Sequence, residues 1–185
     1  MARLFVARWH HLLFYPDWFR RVHQRPGKFL GELVRPGMIV ADIGCGLGFY
    51  TVEMARMVGE KGRVIAVDFQ SQMLRLTSRK ANKAAVAECV QTVQCTRDNL
   101  IVSENVDFVL SMWVAHEVPD LDRFFRQIRC ILKPTGRFLL AEPKCHVGRE
   151  LYEAICNDAE RAGLGKVSEP GIGGSWAALF VALSK

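Results

Sequence analysis

The feature that most constrains the fold is a glycine-rich turn set between two short apolar segments. The segments are residues 40–43 and 64–67, and the turn carries Gly44, Gly46 and Gly48. Short apolar runs bounded by turn residues are typical of strands buried in a parallel sheet. Glycines after such a strand let the backbone turn sharply into a helix and approach a ligand closely. The pattern therefore predicts an α/β fold with a small-molecule site at the turn.

Two aspartates flank this turn and distinguish between possible ligands. Asp42 stands before the turn, where its carboxylate would repel a pyrophosphate and attract an ammonium or sulfonium group. Dinucleotide-binding turns need glycine or alanine three residues after the second glycine, but Phe49 or Thr51 stands there. Asp68, after the second apolar segment, suits a pair of hydrogen bonds to two ribose hydroxyls. Together these residues predict S-adenosylmethionine rather than a nicotinamide dinucleotide.

Strand-like and helix-like segments alternate along the rest of the chain. We expect parallel strands at 38–43, 63–68, 90–94, 107–112 and 136–142, and a C-terminal antiparallel hairpin of 167–169 and 177–183. We expect helices at 49–58, 71–88, 121–132 and 149–163. This alternation predicts a Rossmann-like, doubly wound α/β fold, with a mostly parallel seven-stranded sheet and an antiparallel C-terminal strand.

Four sequence blocks, in this order, resemble the class I S-adenosylmethionine-dependent methyltransferases of the small-molecule, methyltransferase-11-like type. The blocks are residues 42–48, Asp68 after its strand, residues 105–111 and residues 131–138. The resemblance implies a methyltransferase that uses S-adenosyl-L-methionine to methylate a small-molecule acceptor. It also implies a methyltransferase domain at 27–185, preceded by a helical arm or lid at 1–26. Thr135 departs from the family pattern, which usually has a second glycine there.

The donor site is expected at the carboxyl ends of the strands, where ligands of open α/β sheets bind. Phe69 is placed to stack on the adenine, and Thr96 or Asp98 to accept a hydrogen bond from its amino group. We read Cys45 as a small filler of the turn. The residues expected to bind the donor are Asp42, Gly44, Cys45, Gly46, Gly48, Asp68, Phe69, Thr96, Ser111 and Met112.

Two histidines are candidates for a general base, because imidazole titrates near neutral pH. His116 follows the fourth parallel strand and stands next to Glu117. His146 follows the fifth strand, shortly after Glu142. A packing or hydrogen-bonding role remains open for each.

The six cysteines show no paired spacing, so the sequence predicts neither a metal site nor a disulfide framework. No apolar run approaches the roughly 20 residues of a membrane span. We also find no signal peptide, and we therefore expect a reducing, cytoplasmic location.

The net charge of +6 is concentrated near the amino terminus, where residues 1–37 hold seven basic and two acidic side chains. This basic arm allows an alternative function, methylation of RNA or protein, although a solvated helix face explains the charge as well. Nucleic acid is thus the less favoured partner, and the oligomeric state is open. Two further alternatives are a non-catalytic S-adenosylmethionine-binding protein and a thiol-dependent metalloid methyltransferase, for which Cys145 is the one suitably placed thiol.

Overall fold

The computed structural model describes residues 22–183, whose strands form one seven-stranded sheet. The strands are β1 Ile39–Ile43, β2 Arg63–Asp68, β3 Val90–Gln94, β4 Val106–Met112, β5 Leu132–Pro143, β6 Leu164–Ser168 and β7 Ser175–Ala182. The helices are α1 Pro26–Leu30, α2 Phe49–Val58, α3 Ser71–Lys83, α4 Leu121–Ile131 and α5 Arg149–Arg161. Two short 3₁₀ turns lie at Ala87–Cys89 and Ala115–Glu117.

The strand order in the sheet is β3-β2-β1-β4-β5-β7-β6. The pairs β2–β3, β1–β2, β1–β4 and β4–β5 are parallel, whereas β7 pairs antiparallel with both β5 and β6. The predicted fold class is therefore confirmed. The chain order reverses between β1 and β4, so a crevice is expected at the carboxyl ends of these two strands.

Alternate residues of each central strand enter two different cores, one on each face of the sheet. Helices α4 and α5 cover one core, in which Phe125 and Phe180 both pack against Phe138. Helices α1 and α2 cover the other core, which contains Val40 and Met54. Because both faces are covered, the central strands read as continuous apolar runs in the sequence.

Helix α4 shows why the sequence forms a helix at this place. The Asp120 side chain accepts a hydrogen bond from the Arg123 amide at 2.9 Å and so caps the amino end. Phe124, Phe125 and Ile128 recur at helical spacing and are buried. The predicted helix at 121–132 is confirmed to within one residue, since β5 begins directly at residue 132.

The predicted helix at 71–88 is too long, because α3 ends at Lys83. Ala85 adopts a left-handed conformation with φ of 55°, and the Val86 amide then donates to the carbonyl of Ala81. Such a left-handed residue closes a helix and is usually glycine. Alanine favours helix, so nothing in the sequence at residue 85 predicted that the helix ends there.

Within residues 22–183, no helix has both the length and the apolar character needed to cross a membrane. The predicted arm at 1–26 lies mostly outside the described residues, so its boundary and its role as a lid remain predictions.

Asp107 at the start of β4 joins three strands at the amino-terminal edge of the sheet. Its carboxylate accepts from the Ile39 amide at 2.9 Å and from the Lys133 ammonium at 2.8 Å. These bonds tie the first residue of β1 and the second residue of β5 to β4.

We expect Asp107→Ala to lower the free energy of unfolding by about 1.5–3 kcal/mol, because two charge-assisted hydrogen bonds are lost. Chemical denaturation would measure this change. Asp122→Ala is the matched control, since it removes an exposed carboxylate whose ion pair with Arg126 lies along α4. Equal losses in both variants would contradict the role given to Asp107.

Candidate functional site

A cleft of about 210 Å³ lies at the carboxyl ends of β1, β2 and β4. Five backbone segments supply most of its lining, namely the glycine turn 43–47, residues 68–70 after β2, residues 95–97 after β3, residues 112–114 after β4 and residues 117–119 beyond the 3₁₀ turn. Gln24, Tyr50, Met73, Leu100 and Phe124 complete it. Residues far apart in the sequence are thus brought together at the topological switch point.

The glycine turn is held by backbone hydrogen bonds to the neighbouring strand. The amides of Gly44 and Cys45 both donate to the carbonyl of Val67, at 2.8 and 3.0 Å. Gly44 has φ of 72°, and a Cβ atom there would come within 2.3 Å of the Val114 side chain. Glycine is therefore required at residue 44 by conformation and by space.

Gly48 closes the turn at the start of α2 and meets α3. Its φ is 73°, and a Cβ atom would lie 2.8 Å from the Thr77 side chain. The Thr77 hydroxyl also donates to the carbonyl of Gly46 at 2.9 Å. Gly48 does not line the cleft, so this glycine is required by packing.

Asp68 lines the cleft and is 8% exposed. One carboxylate oxygen accepts from the Gly46 amide at 2.9 Å, and the other accepts from the Gln70 amide at 2.8 Å. Burial raises the pKa of Asp68, against the opposing effect of these backbone hydrogen bonds. The Phe69 amide acts on this carboxylate as a third backbone donor. A carboxylate has about four acceptor positions, so one remains for a ligand hydroxyl.

Asp42 is 2% exposed and does not line the cleft. Side chains alternate along β1, so Asp42 points to the same face of the sheet as Val40, beneath α2. There it accepts a hydrogen bond from the Thr51 hydroxyl at 2.5 Å. Its expected direct contact with the donor remains a prediction. The placement favours an indirect role, in which Asp42 supports the glycine turn instead of touching the donor.

Cys45 lies between the two aspartates. Burial raises the pKa of its thiol well above the ordinary value, and the charges of Asp42 and then Asp68 add to this effect. Both carboxylates are therefore close enough to influence one thiol. A thiol held protonated in this way is a poor nucleophile, in agreement with its reading as a filler.

Phe69 and Thr96, which we expected beside the adenine, both line the cleft. Arg97, which the sequence analysis did not predict, lines it as well. Phe69 is 43% exposed, and the Arg97 guanidinium lies 5.5 Å from its ring centroid. Thr96 also lines the cleft, but its hydroxyl accepts from the amides of Asp98 and Asn99 at 3.3 and 3.0 Å. Asp98 is not part of the lining.

The segment after β4 forms the opposite wall. Met112 lines the cleft, whereas Ser111 is buried beneath it and its hydroxyl has no hydrogen-bond partner in the described part of the chain. Trp113 has φ of 63°, and its indole N–H donates to the Ser175 hydroxyl at 2.8 Å. Left-handed backbone at a non-glycine residue costs energy and is concentrated at functional sites.

His116 does not line the cleft, although its neighbour Glu117 does. The His116 ring nitrogen Nδ1 is hydrogen-bonded to Glu142, a carboxylate of β5 that is fully buried. Burial alone would lower the pKa of His116, but the hydrogen bond and charge of Glu142, and then the charge of Glu117, raise it overall.

His146 is exposed in the turn after β5 and does not line the cleft. The histidines thus have different surroundings, and a catalytic role for either remains a prediction. Within residues 22–183, no cluster of three or more acidic, histidine or cysteine side chains has the geometry to hold a metal ion.

The sequence reading missed Gln24 and Tyr50, which extend the cleft toward the amino-terminal segment. Gln24 is 6% exposed and accepts a hydrogen bond from the Tyr50 hydroxyl. Tyr50 lies two residues after Gly48, so its position in the sequence indicated that it could reach the cleft. Gln24 lies before the predicted domain at 27–185, and its position gave no such indication.

A family model described as a methyltransferase domain matches residues 35–177. The ubiquinone/menaquinone biosynthesis C-methyltransferase of Vibrio cholerae is 35% identical over 109 residues, which are 58% of this chain and 42% of that protein. The match therefore spans less than half the length of this relative.

Solved structures share the fold at low sequence identity. An S-adenosylmethionine-dependent methyltransferase from Aquifex aeolicus has a TM-score of 0.85 at 24% identity, over 96% of this chain and all of the other. Fibrillarin from Aeropyrum pernix, solved with S-adenosyl-L-methionine bound, has a TM-score of 0.64 at 16% identity, over 80% of this chain and 68% of its own.

We expect Gly44→Ala to destabilise the protein more than Gly37→Ala. Both glycines have positive φ, but a Cβ atom at residue 37 meets nothing within 4 Å. Backbone strain alone should cost about 1–2 kcal/mol at Gly37. The contact with Val114 should add about 1–3 kcal/mol at Gly44. Denaturant unfolding of both variants measures the difference, and equal losses would show that Val114 yields without cost.

Proposed function

The chain belongs to the methyltransferase-domain family, and on that premise we propose that it transfers a methyl group from S-adenosylmethionine to a small organic acceptor. The family match confirms the resemblance that the four sequence blocks carried. The observation that carries the proposal is the cleft in which Asp68 and the glycine turn face one another. The chain matches less than half of its curated relative, so the acceptor is argued from the residues of the cleft.

The residues of the cleft fit the chemical groups of this donor. Asp68 presents its carboxylate at the cleft, which suits hydrogen bonding to the hydroxyls of a ribose. Leu100, Val118 and Phe124 offer an apolar wall for an adenine ring. The glycine turn, whose residues 44 and 46 carry no side chain, allows the remaining part of the donor to lie against the backbone.

Bound S-adenosylmethionine supplies a methyl group already activated by the positive charge of its sulfonium. The protein therefore has mainly to position the acceptor and to exclude water. Correct positioning of two reactants is worth roughly 7–11 kcal/mol of the barrier. The Trp113–Ser175 hydrogen bond and the strained backbone at Trp113 give the acceptor wall the rigidity that such positioning needs.

The acceptor side of the cleft is largely apolar and uncharged. Trp113, Tyr50 and Pro119 provide apolar and aromatic surface, and Gln24 provides a neutral polar group. Glu117 is the one carboxylate on this wall within the described residues. We infer that the acceptor is a flat, uncharged molecule with a hydroxyl group. The name of the Vibrio cholerae relative, a C-methyltransferase of ubiquinone and menaquinone biosynthesis, supports C-methylation of a quinone-related ring as the first reaction to test.

The alternatives from the sequence remain open predictions. Methylation of RNA or protein would depend on the basic arm, most of which lies outside the described residues. Neutralised phosphates would make RNA binding fall steeply with rising salt concentration. A non-catalytic binding protein would hold the donor but transfer no methyl group. A cytoplasmic location is likewise kept as a prediction.

We expect Asp68→Asn to weaken binding of S-adenosylhomocysteine about 10- to 100-fold, because a charged acceptor of hydroxyl hydrogen bonds is lost. Isothermal titration calorimetry measures the affinity. Asp122→Asn is the matched control, because this aspartate lies on the outer face of α4. The unfolding temperature without ligand shows whether the variant is folded. Absence of binding by the wild-type protein at millimolar ligand would reject the donor assignment.

We expect the wild-type protein to transfer tritiated methyl groups from S-adenosylmethionine to 1,4-naphthohydroquinone. Bulk transfer RNA and a histone mixture, assayed in parallel, should take up no label. Label in the RNA, falling with added salt, would favour the basic-arm alternative. Donor binding without label in any acceptor of the panel would favour the non-catalytic alternative.

A further inference from the structure

The 3₁₀ turn Ala115–Glu117 brings three ionisable groups into one line. Glu117 lines the cleft, His116 lies behind it, and Glu142 of β5 is buried behind His116. The His116 ring nitrogen Nε2 is 4.0 Å from a carboxylate oxygen of Glu117. The histidine was predicted as a base from its sequence position, but the carboxylate next to it is the group that faces the cleft.

Glu142 fixes the orientation of this turn. The side chain is 0% exposed, and one of its oxygens accepts from the Ala115 amide at 2.9 Å. The other oxygen faces His116 Nδ1. A buried carboxylate is costly unless its oxygens are satisfied, so the histidine is held with Nδ1–H toward Glu142. This orientation turns Nε2 toward Glu117.

The charges around His116 favour its protonated form. Glu142 faces the ring from β5 and Glu117 faces it from the same turn, and no other charged group of the described chain contributes to its pKa. Their combined effect exceeds that of burial, so the pKa of His116 is raised. An imidazolium at this position would in turn favour the ionised form of Glu117, because opposite charges a few ångströms apart attract.

We propose that Glu117 accepts the proton of the acceptor hydroxyl, and that His116 and Glu142 act as positioning residues that keep Glu117 ionised and oriented. This inference rests on the proposed function and names the acceptor as a phenol or hydroquinone. The acceptor O–H bond breaks, and its proton forms a bond to a Glu117 carboxylate oxygen. The electron pair stays with the acceptor, whose ring carbon would form the new bond to the methyl group while the S–CH3 bond of the donor breaks. The electron pair of that bond would go to sulfur, so that S-adenosylhomocysteine leaves.

The remaining steps balance the protons. The ring carbon that received the methyl group loses its own hydrogen, and a hydrogen returns to the acceptor oxygen as the ring becomes aromatic again. Glu117 then releases the accepted proton to water, which its side chain reaches, being 22% exposed. One proton is released for each methyl group transferred, and no oxidant or reductant is needed.

The link between the three groups can be tested without any activity. Proton NMR of the histidine C2–H resonances gives the pKa of His116, and His116→Asn identifies its signal. We expect a pKa above 6.5 in the wild-type protein, a clear decrease in Glu142→Gln and a smaller decrease in Glu117→Gln. Glu60→Gln is the control, because Glu60 is an exposed carboxylate in the turn after α2. A pKa unchanged by Glu142→Gln and Glu117→Gln would overturn the linkage.

The role of Glu117 is tested by kinetics with 1,4-naphthohydroquinone as the acceptor. Loss of a general base typically lowers the rate about 10²–10⁴-fold, and we expect such a fall in kcat for Glu117→Gln. The KM for S-adenosylmethionine should stay near the wild-type value, and Glu117→Asp should restore part of kcat. In Glu142→Gln, the alkaline limb of the pH profile of kcat should move to lower pH, because His116 then loses its charge at a lower pH.

The outcomes separate this inference from the proposed function. Wild-type kcat in Glu117→Gln, with methyl transfer intact, would overturn the role of Glu117 and leave the proposed function standing. If the wild-type protein binds the donor but does not methylate the hydroquinone, the proposal that the acceptor is a phenol or hydroquinone is overturned. Absence of donor binding would overturn the proposed function itself.

Discussion

The hydrogen bond from the Gly46 amide to the Asp68 carboxylate is the interaction on which the site depends. It joins the turn after β1 to the end of β2. The glycine turn and Asp68 are therefore held at a fixed distance from each other in the cleft. The same carboxylate accepts from the Gln70 amide, and it lies at the surface of the cleft. Burial raises the pKa of Asp68, and the backbone hydrogen bonds to its carboxylate oppose this effect.

A second buried carboxylate organises the opposite wall. Glu142 lies in β5, one strand away from β4, and it binds the Ala115 amide and the His116 ring of the turn beyond β4. Val114 of the same segment occupies the space that a side chain at Gly44 would need. The two walls of the cleft are therefore packed against each other, and a change in one wall is expected to displace the other.

Much of the fold was readable from local patterns, because buried parallel strands and amphipathic helices have distinct periods. Helix α4 was predicted to within one residue, since Asp120 caps it and its phenylalanines mark the buried face. The end of α3 was missed, because Ala85 takes a left-handed conformation that the sequence gives no reason to expect. Asp68 lines the cleft, whereas Asp42 does not, since strand alternation turns its side chain beneath α2. Contact with the donor remains a prediction for both residues.

The α/β class, the glycine turn and the carboxylate after β2 follow from local sequence, because each depends on residues that are neighbours along the chain. Which titratable groups meet depends on how the strands and helices pack. Glu142 and His116 are 26 residues apart in the sequence, and they touch because β5 lies beside β4 in the sheet. The same packing leaves Glu117 facing the cleft and His146 on the surface. Strand pairing is a property of the whole fold. No local sequence pattern could therefore have shown that Glu117 faces the cleft and that His146 does not.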